Sequence, residues 1–452
     1  MLTRNAKGST GWVVVLGLLA AVVLFGWPSG AAAQSSSDNP AGYVVLPKIV
    51  VHVTGGAQPV LPGQVATDTL IQMTNTNATN PINVHCWWIN ANSHCGTSDG
   101  LICDTNADCP LGTNCLPFWS NTNFSLTLTP GQPIGFTASL GLTPNLPCES
   151  GFPGPGCPAG HCAPTSTGTS CFKDSDCMTA GDTCTAVSRG AASGVPENPF
   201  RGELKCVEVD TNNNPIVAND LKIEATVIRT TVQAPPAPPV VGVATTAASY
   251  NAIGFQALSQ TAPPHTFAQP LCLGSLPPGT PGGVACNTSY EPCPGVLILD
   301  HFFEGATPEF GGVVNTDLTL VPCSEDIPGT VPGSSNFQVT VQMLIYNEFE
   351  QRFSSSARVQ CYRATSLSDI DTLPGPTGDS FSIFAAGVEG TLTGQTRMRG
   401  VTGANGALGY GILGVACENF RETPGGPILA TDAFNIDHDL FNANGDAVYI
   451  EP

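Results

Sequence analysis

The chain has 452 residues, 35 acidic against 15 basic, a formal charge of -20 and only 11% charged side chains. That balance argues against a nucleic-acid partner, since phosphate binding needs clustered Lys and Arg. With 50 Gly and 40 Pro the chain is rich in turns and poor in helix formers, which points to an all-β class.

Met1 to Gln34 is built like a secretory signal: Arg4 and Lys7, an apolar run from Trp12 to Phe25, then small residues ending at Ala31-Ala32-Ala33. Cleavage is expected after Ala33, leaving residues 34–42 as a polar lead-in. The apolar run is shorter than the about 20 residues a membrane helix needs, so no stable span is expected in the mature chain. Losing Arg4 and Lys7 makes the exported chain more acidic still, as suits a secreted, periplasmic or cell-surface protein. All 18 cysteines follow the cut, an even number that in an exported chain reads as disulfides.

The first strand is expected over Tyr43 to Val53, with Pro47 marking an edge or a bulge. Thr69 to Thr74 and Ile82 to Ile89 then alternate β-branched residues and Leu with polar ones, the period of strands with one face on a core. Neighbours on a strand point to opposite faces, so Trp87 and Trp88 cannot both enter the same core. The outward one is either covered by an inserted loop or offered, with Trp119, as an aromatic platform for a sugar or a peptide.

Two Cys-rich insertions, 95–115 and 148–184, interrupt this pattern. Cys103-Asp-Thr-Asn-Ala-Asp-Cys109-Pro-Leu-Gly-Thr-Asn-Cys115 and Cys171-Phe-Lys-Asp-Ser-Asp-Cys177-Met-Thr-Ala-Gly-Asp-Thr-Cys184 share a C-x4-D-C-x2-3-G-x2-C frame, an internal repeat. The repeat resembles short units of the form C-x2-D-x-D-C-x2-G-x2-C in secreted proteins of some Gram-negative bacteria. The first copy has Asn106 at the earlier acidic position, and the resemblance covers a small part of the chain and implies no activity.

Phe124 to Leu128 and Ile134 to Leu140 read as a hairpin turned at Pro130-Gly131. Phe200 to Asp210 and Leu221 to Val232 alternate most cleanly and are expected to pair antiparallel across an Asn-rich loop. Gln233 to Pro239 is a stiff polyproline stretch, the natural boundary between a first sandwich over 43–232 and a second over 240–452. Val314 to Leu320 and Val339 to Tyr346 echo Val65 to Ile71 and Ile82 to Ile89, and Asn444-Gly445 marks a closing hairpin. The expectation is an all-β chain of two tandem antiparallel, immunoglobulin-like β-sandwiches with disulfide-rich insertions, similar in type to bacterial surface and extracellular interaction modules.

Cys86 and Cys206 lie mid-strand and are predicted to bridge across the first sandwich in the manner of immunoglobulin-like domains. That leaves Cys95, Cys103, Cys109 and Cys115 in the first insertion. Cys148, Cys157, Cys162, Cys171, Cys177 and Cys184 fall in the second, and Cys272, Cys286, Cys293, Cys323, Cys361 and Cys417 in the second sandwich, an even count in each. Zinc clusters of the C-x2-C type are absent. Asp104, Asn106 and Asp108, then Asp174, Asp176 and Asp182, then Asp437, Asp439, Asn442, Asn444 and Asp446 are calcium candidates by oxygen chemistry. None fits the twelve-residue calcium loop, and the same residues serve equally as turn formers and amide caps.

Neither G-x-S-x-G nor H-E-x-x-H occurs. Gly378-Asp-Ser-Phe-Ser382 lacks the glycines of a serine-hydrolase site, and alternation in Asp300-His-Phe-Phe-Glu304 sets both carboxylates opposite His301. The chain is therefore expected to be a non-enzymatic exported binding or structural protein, its partner an extracellular protein or a glycan, with no cofactor beyond possible calcium. The alternatives are a carbohydrate-binding or carbohydrate-active protein using Trp87, Trp88 and Trp119, and a calcium-stabilised adhesion-type module.

Overall fold

Strands form where the period-two pattern runs, and a computed structural model shows how they associate. It describes residues 39–53, 65–96, 101–117, 120–142, 160–163, 170–171, 178–185, 190–233, 242–258, 290–291, 293–294, 296–305, 311–323, 338–370, 372–374, 380–384, 392–401, 411–423 and 426–439. Among the described residues every strand pairing is antiparallel and there is no α-helix. The signal-like segment and the closing Asn444-Gly445 turn lie outside them.

Sheet I has six strands in the order Gly190–Ala191, Ser120–Leu128, Ile82–Asn90, Phe200–Val209, Tyr43–Val51 and Ile253–Phe255. Sheet II has four, Gly242–Asn251, Leu221–Gln233, Val65–Asn75 and Pro133–Thr137. Their facing side chains, among them Val44, Leu46, Met73, Trp88, Leu204 and Ile223, make one buried cluster. Trp88 is its largest member, wedged between Phe124 and Phe200 at ring distances of 5.6 and 6.4 Å, with its indole N–H donated to the Ser193 carbonyl.

Sheet III runs Arg352–Gln360, Gln338–Asn347, Thr393–Val401, Val296–Phe302 and Asp437–Asp439. Sheet IV runs Arg363–Ser366, Val313–Pro322, Ile412–Arg421 and Ile428–Asn435. A second core, including Leu297, Leu299, Met343, Ile345, Ile412 and Ala416, lies between them. Ile412–Arg421 is buried on both faces, as its near-continuous apolar run requires: Ile412 and Ala416 join this core, Val415 and Cys417 the first cluster.

Three strand relations differ from the sequence expectation. Ser120–Leu128 and Pro133–Thr137 belong to sheets I and II, so the turn at Gly131 carries the chain from one sheet to the other and closes no hairpin. Gln132 Oε1 fixes that turn by accepting the Thr129 N–H and hydroxyl. Phe200–Val209 and Leu221–Gln233 likewise lie in different sheets. The loop between them is drawn across by Asp210, which takes the Asn212 and Asn214 amides, and by Glu208, which takes those of Asp220 and Leu221. The Pro-rich stretch lies between two strands that pair with each other, Gln233 opposite Gly242, and Ile253–Phe255 returns to pair with Tyr43–Val51. Polyproline composition sets the stiffness of a segment and leaves its flanks able to meet.

Candidate functional site

The Cys-rich insertions form two small sheets of one design. Ser93–Cys95 sits between Ile102–Cys103 and Cys115–Pro117, and Gly160–Ala163 between Ser170–Cys171 and Thr183–Thr185. Cys95 faces Cys115 in register, as Cys162 faces Cys184. Gly112 and Gly181 hold the same positive φ, +90° and +94°, in turns closed by Thr113 N–H on Pro110 and Asp182 N–H on Thr179. The repeat therefore includes His94-Cys95 and His161-Cys162 ahead of the shared sequence frame.

In the first unit the bridges are Cys95–Cys109 and Cys103–Cys115. The sulfurs of Cys95, Cys103 and Cys109 lie within 4.8 Å of one another because the two bridges stack, and bridged sulfur offers no thiolate to a metal. The calcium candidates here are spent on the scaffold. Asp104 takes the Arg201 guanidinium at 2.5 Å, and Asn106 Oδ1 accepts the Cys115 N–H at 2.8 Å. Asp108 Oδ2 accepts the amides of Asp104 and Thr105, which hold its carboxyl below the ordinary range. Asp182 is buried in the second unit, and Asp437 and Asp439 lie on an edge strand of sheet III. Asp174, Asp176, Asn442, Asn444 and Asp446 lie outside the described residues, as do Trp119, Cys148, Cys157, Cys177, Cys272 and Cys286.

Cys86 and Cys206 do pair, but as direct partners on neighbouring strands of sheet I, with Cα atoms 4.1 Å apart, and not across the sandwich. Cys293 pairs with Cys323. Among the described residues Cys361 and Cys417 depart from the disulfide expectation, both buried thiols in separate apolar clusters. An even count by region does not place partners within reach.

Trp87 faces away from the first core, as alternation demands, yet it is only 3% exposed. Its ring lies 4.4 Å from that of His85, in a cluster that joins Tyr43, Val45, Ile89 and Phe255 of sheet I to Val321 and Leu413 of sheet IV. The outer face of sheet I is thus a seam against the second half of the chain, and neither Trp87 nor Trp88 offers a platform to solvent. The polar residues of Phe200–Val209 go under with it: Glu203 and Lys205 form an ion pair at 3.1 Å with both side chains at most 2% exposed. Burial raises the Glu203 carboxyl and pushes Glu208 up to about 7. Burial, reinforced by the Glu203 charge, pushes the Cys361 thiol up to about 12.

An open cavity of about 460 Å³ lies at one end of the second sheet pair, where Val296–Phe302, Gln338–Asn347 and Thr393–Val401 stand side by side opposite Glu418. Asp300, Phe302, Tyr346, Glu348, Gln395 and Glu418 line it. His301 also lines it, though only 4% exposed, with Nδ1 on the Phe302 carbonyl and Nε2 on the Thr396 hydroxyl. Burial lowers its pKa to about 4, so Nδ1–H donates and Nε2 accepts in a neutral ring. Glu304 is committed elsewhere, accepting from Asn315, Ser366 and the Thr316 amide, and burial raises it to about 6. Glu348, Gln395 and Glu418 were not legible as a site, being drawn from segments far apart in sequence. Asp300 at the end of an apolar strand was the one signal of it.

Compared with protein families, curated proteins and solved structures, the chain matches none.

Proposed function

We propose that the chain is an exported, non-enzymatic binding or structural protein of the cell exterior. Two sheet pairs form its scaffold, and the Cys-rich units are appendages held in shape by their own bridges. Disulfide pairing supports an oxidising location, and among the described residues no helix is long and apolar enough to cross a membrane.

The observation that carries the reading is the engagement of two groups beside the cavity, His301 and Glu348. Both nitrogens of His301 are occupied, and Glu348 places its two oxygens on the Leu392 and Thr393 amides. A glycosidase needs one carboxyl able to give a proton and a second placed to attack or to activate water. Groups spent on backbone amides serve shape and binding better than proton transfer. The calcium reading loses support for the same reason, since the described oxygens of the first unit cap amides or hold Arg201.

The test is a hydrolysis screen of the mature protein against a panel of polysaccharides and aryl glycosides. No release above buffer is expected. Sustained release that disappears in Glu418→Gln would overturn the proposal.

A further inference from the structure

We infer that the cavity at the end of sheet III is a seat for an organic cation, an ammonium or guanidinium on a short apolar stem. This deepens the binding reading above and rests on it. The cavity lies within the about 300–1,000 Å³ typical of ligand sites.

The hydrogen-bond inventory of the walls decides the ligand class. Asp300 Oδ1 accepts from Gln395 Nε2 at 2.9 Å, and Gln395 Oε1 accepts from Arg397 Nε, so the Gln395 amide is used at both ends. Asn347 is used likewise: its Nδ2 donates to Gln351, and its Oδ1 takes the Phe349 and Gln351 amides. With His301 satisfied, Glu348 taking the Leu392 and Thr393 amides and Glu418 taking the Phe302 N–H, the walls retain the remaining carboxylate lone pairs of Asp300, Glu348 and Glu418 and two hydroxyls, Thr393 and Tyr346. Among the described residues no Lys or Arg lines the cavity. Arg397, two residues from Gln395 on the same face of the strand, stands beside the seat with its guanidinium over the Tyr346 ring, 5.4 Å from the centroid, and its Nε on Gln395.

Such walls accept more hydrogen bonds than they donate. A sugar hydroxyl needs donors as well as acceptors, whereas ammonium and guanidinium groups are donors only. Burial raises the Glu418 carboxyl, with the Asp432 charge adding to the rise against the Phe302 N–H that Glu418 accepts, and His301 contributes no positive charge because it is neutral above about 4. Among the described residues the three carboxylates do not all come within coordination range of one another. The seat is therefore too wide for a bare divalent ion gripped by all three, and it fits a cation that spans the gap with several N–H groups. The partly exposed Phe302 ring gives the stem an apolar wall.

The experiment is calorimetric titration of the mature protein with agmatine, cadaverine, N-acetyl-arginine amide and, as the neutral control, maltose. One site per chain is expected for the cations, weakening as salt rises. Glu418→Gln and the exposed Asp300→Asn should each weaken binding by about tenfold, as loss of a partly desolvated charge partner implies, at unchanged melting temperature. Equal binding of N-acetyl-arginine amide and agmatine identifies a protein side chain as the source of the cation, and binding of the free amines alone identifies a small molecule. Maltose binding as tightly as the cations overturns the inference while leaving a binding protein. Absence of heat with every cation at millimolar concentration overturns the inference outright, and the hydrolysis screen still judges the broader reading separately.

Discussion

Replacing Trp87 with Ala separates a seam from a surface platform. The indole is 3% exposed and packed among residues of both halves of the chain, so truncation removes a large buried aromatic and leaves a cavity between sheets that cannot readily close. Such losses cost about 3–5 kcal/mol, a large share of the about 5–15 kcal/mol that holds a typical domain. The assay is urea unfolding followed by far-UV circular dichroism, which does not depend on the deleted chromophore. The midpoint should fall with the slope of the transition retained. Were Trp87 a solvent-facing ligand platform, the change would stay within about 0.5 kcal/mol. A loss that small would refute the seam, most plainly if glycan binding vanished with it.

Glu208→Gln should flatten the pH dependence of stability. The folded-state pKa of Glu208 is raised by burial from 4.5 to about 7, so between those values the folded chain holds a proton that the unfolded chain releases, and stability falls as pH rises through that window. At about 1.4 kcal/mol per pH unit the contribution is on the order of 3 kcal/mol, and the neutral amide, which can still accept the Asp220 and Leu221 N–H groups, should abolish it in melts at pH 5 and pH 8. Removing the Cys86–Cys206 bridge by double Ala substitution should cost about 2–5 kcal/mol, since the pair closes a loop of 120 residues in the unfolded chain, and equilibrium unfolding measures it. By correspondence with the first unit, a peptide map of the second should show Cys162 joined to Cys177 and Cys171 to Cys184, leaving Cys148 for Cys157; a Cys162–Cys184 peptide would break the correspondence.

Period-two alternation made the strands legible. It told correctly that Trp87 and Trp88 part company and that His301 and Asp300 do the same. Alternation says which side a residue takes and nothing about what covers that side. Glu203 and Lys205 take the side opposite Leu204 and Cys206 and are nonetheless buried. Loops of similar length close hairpins or cross between sheets, so the partners of Ser120–Leu128 and Phe200–Val209 could not be read from their neighbours in sequence. The pairing of Cys86 with Cys206 was legible because both sit mid-strand, whereas the isolation of Cys361 and Cys417 follows from three-dimensional placement alone. The cavity eluded the sequence for a similar reason: its carboxylates come from two strands and a turn that only the sheet order brings together.

The central structural claim is that Ser35–Pro452 is one compact unit in which sheets I and IV share a buried seam. Differential scanning calorimetry of the mature protein tests it most directly. A single cooperative transition is predicted, moving as a whole in Trp87→Ala; two separable transitions, only one of them shifted by that substitution, would contradict the claim.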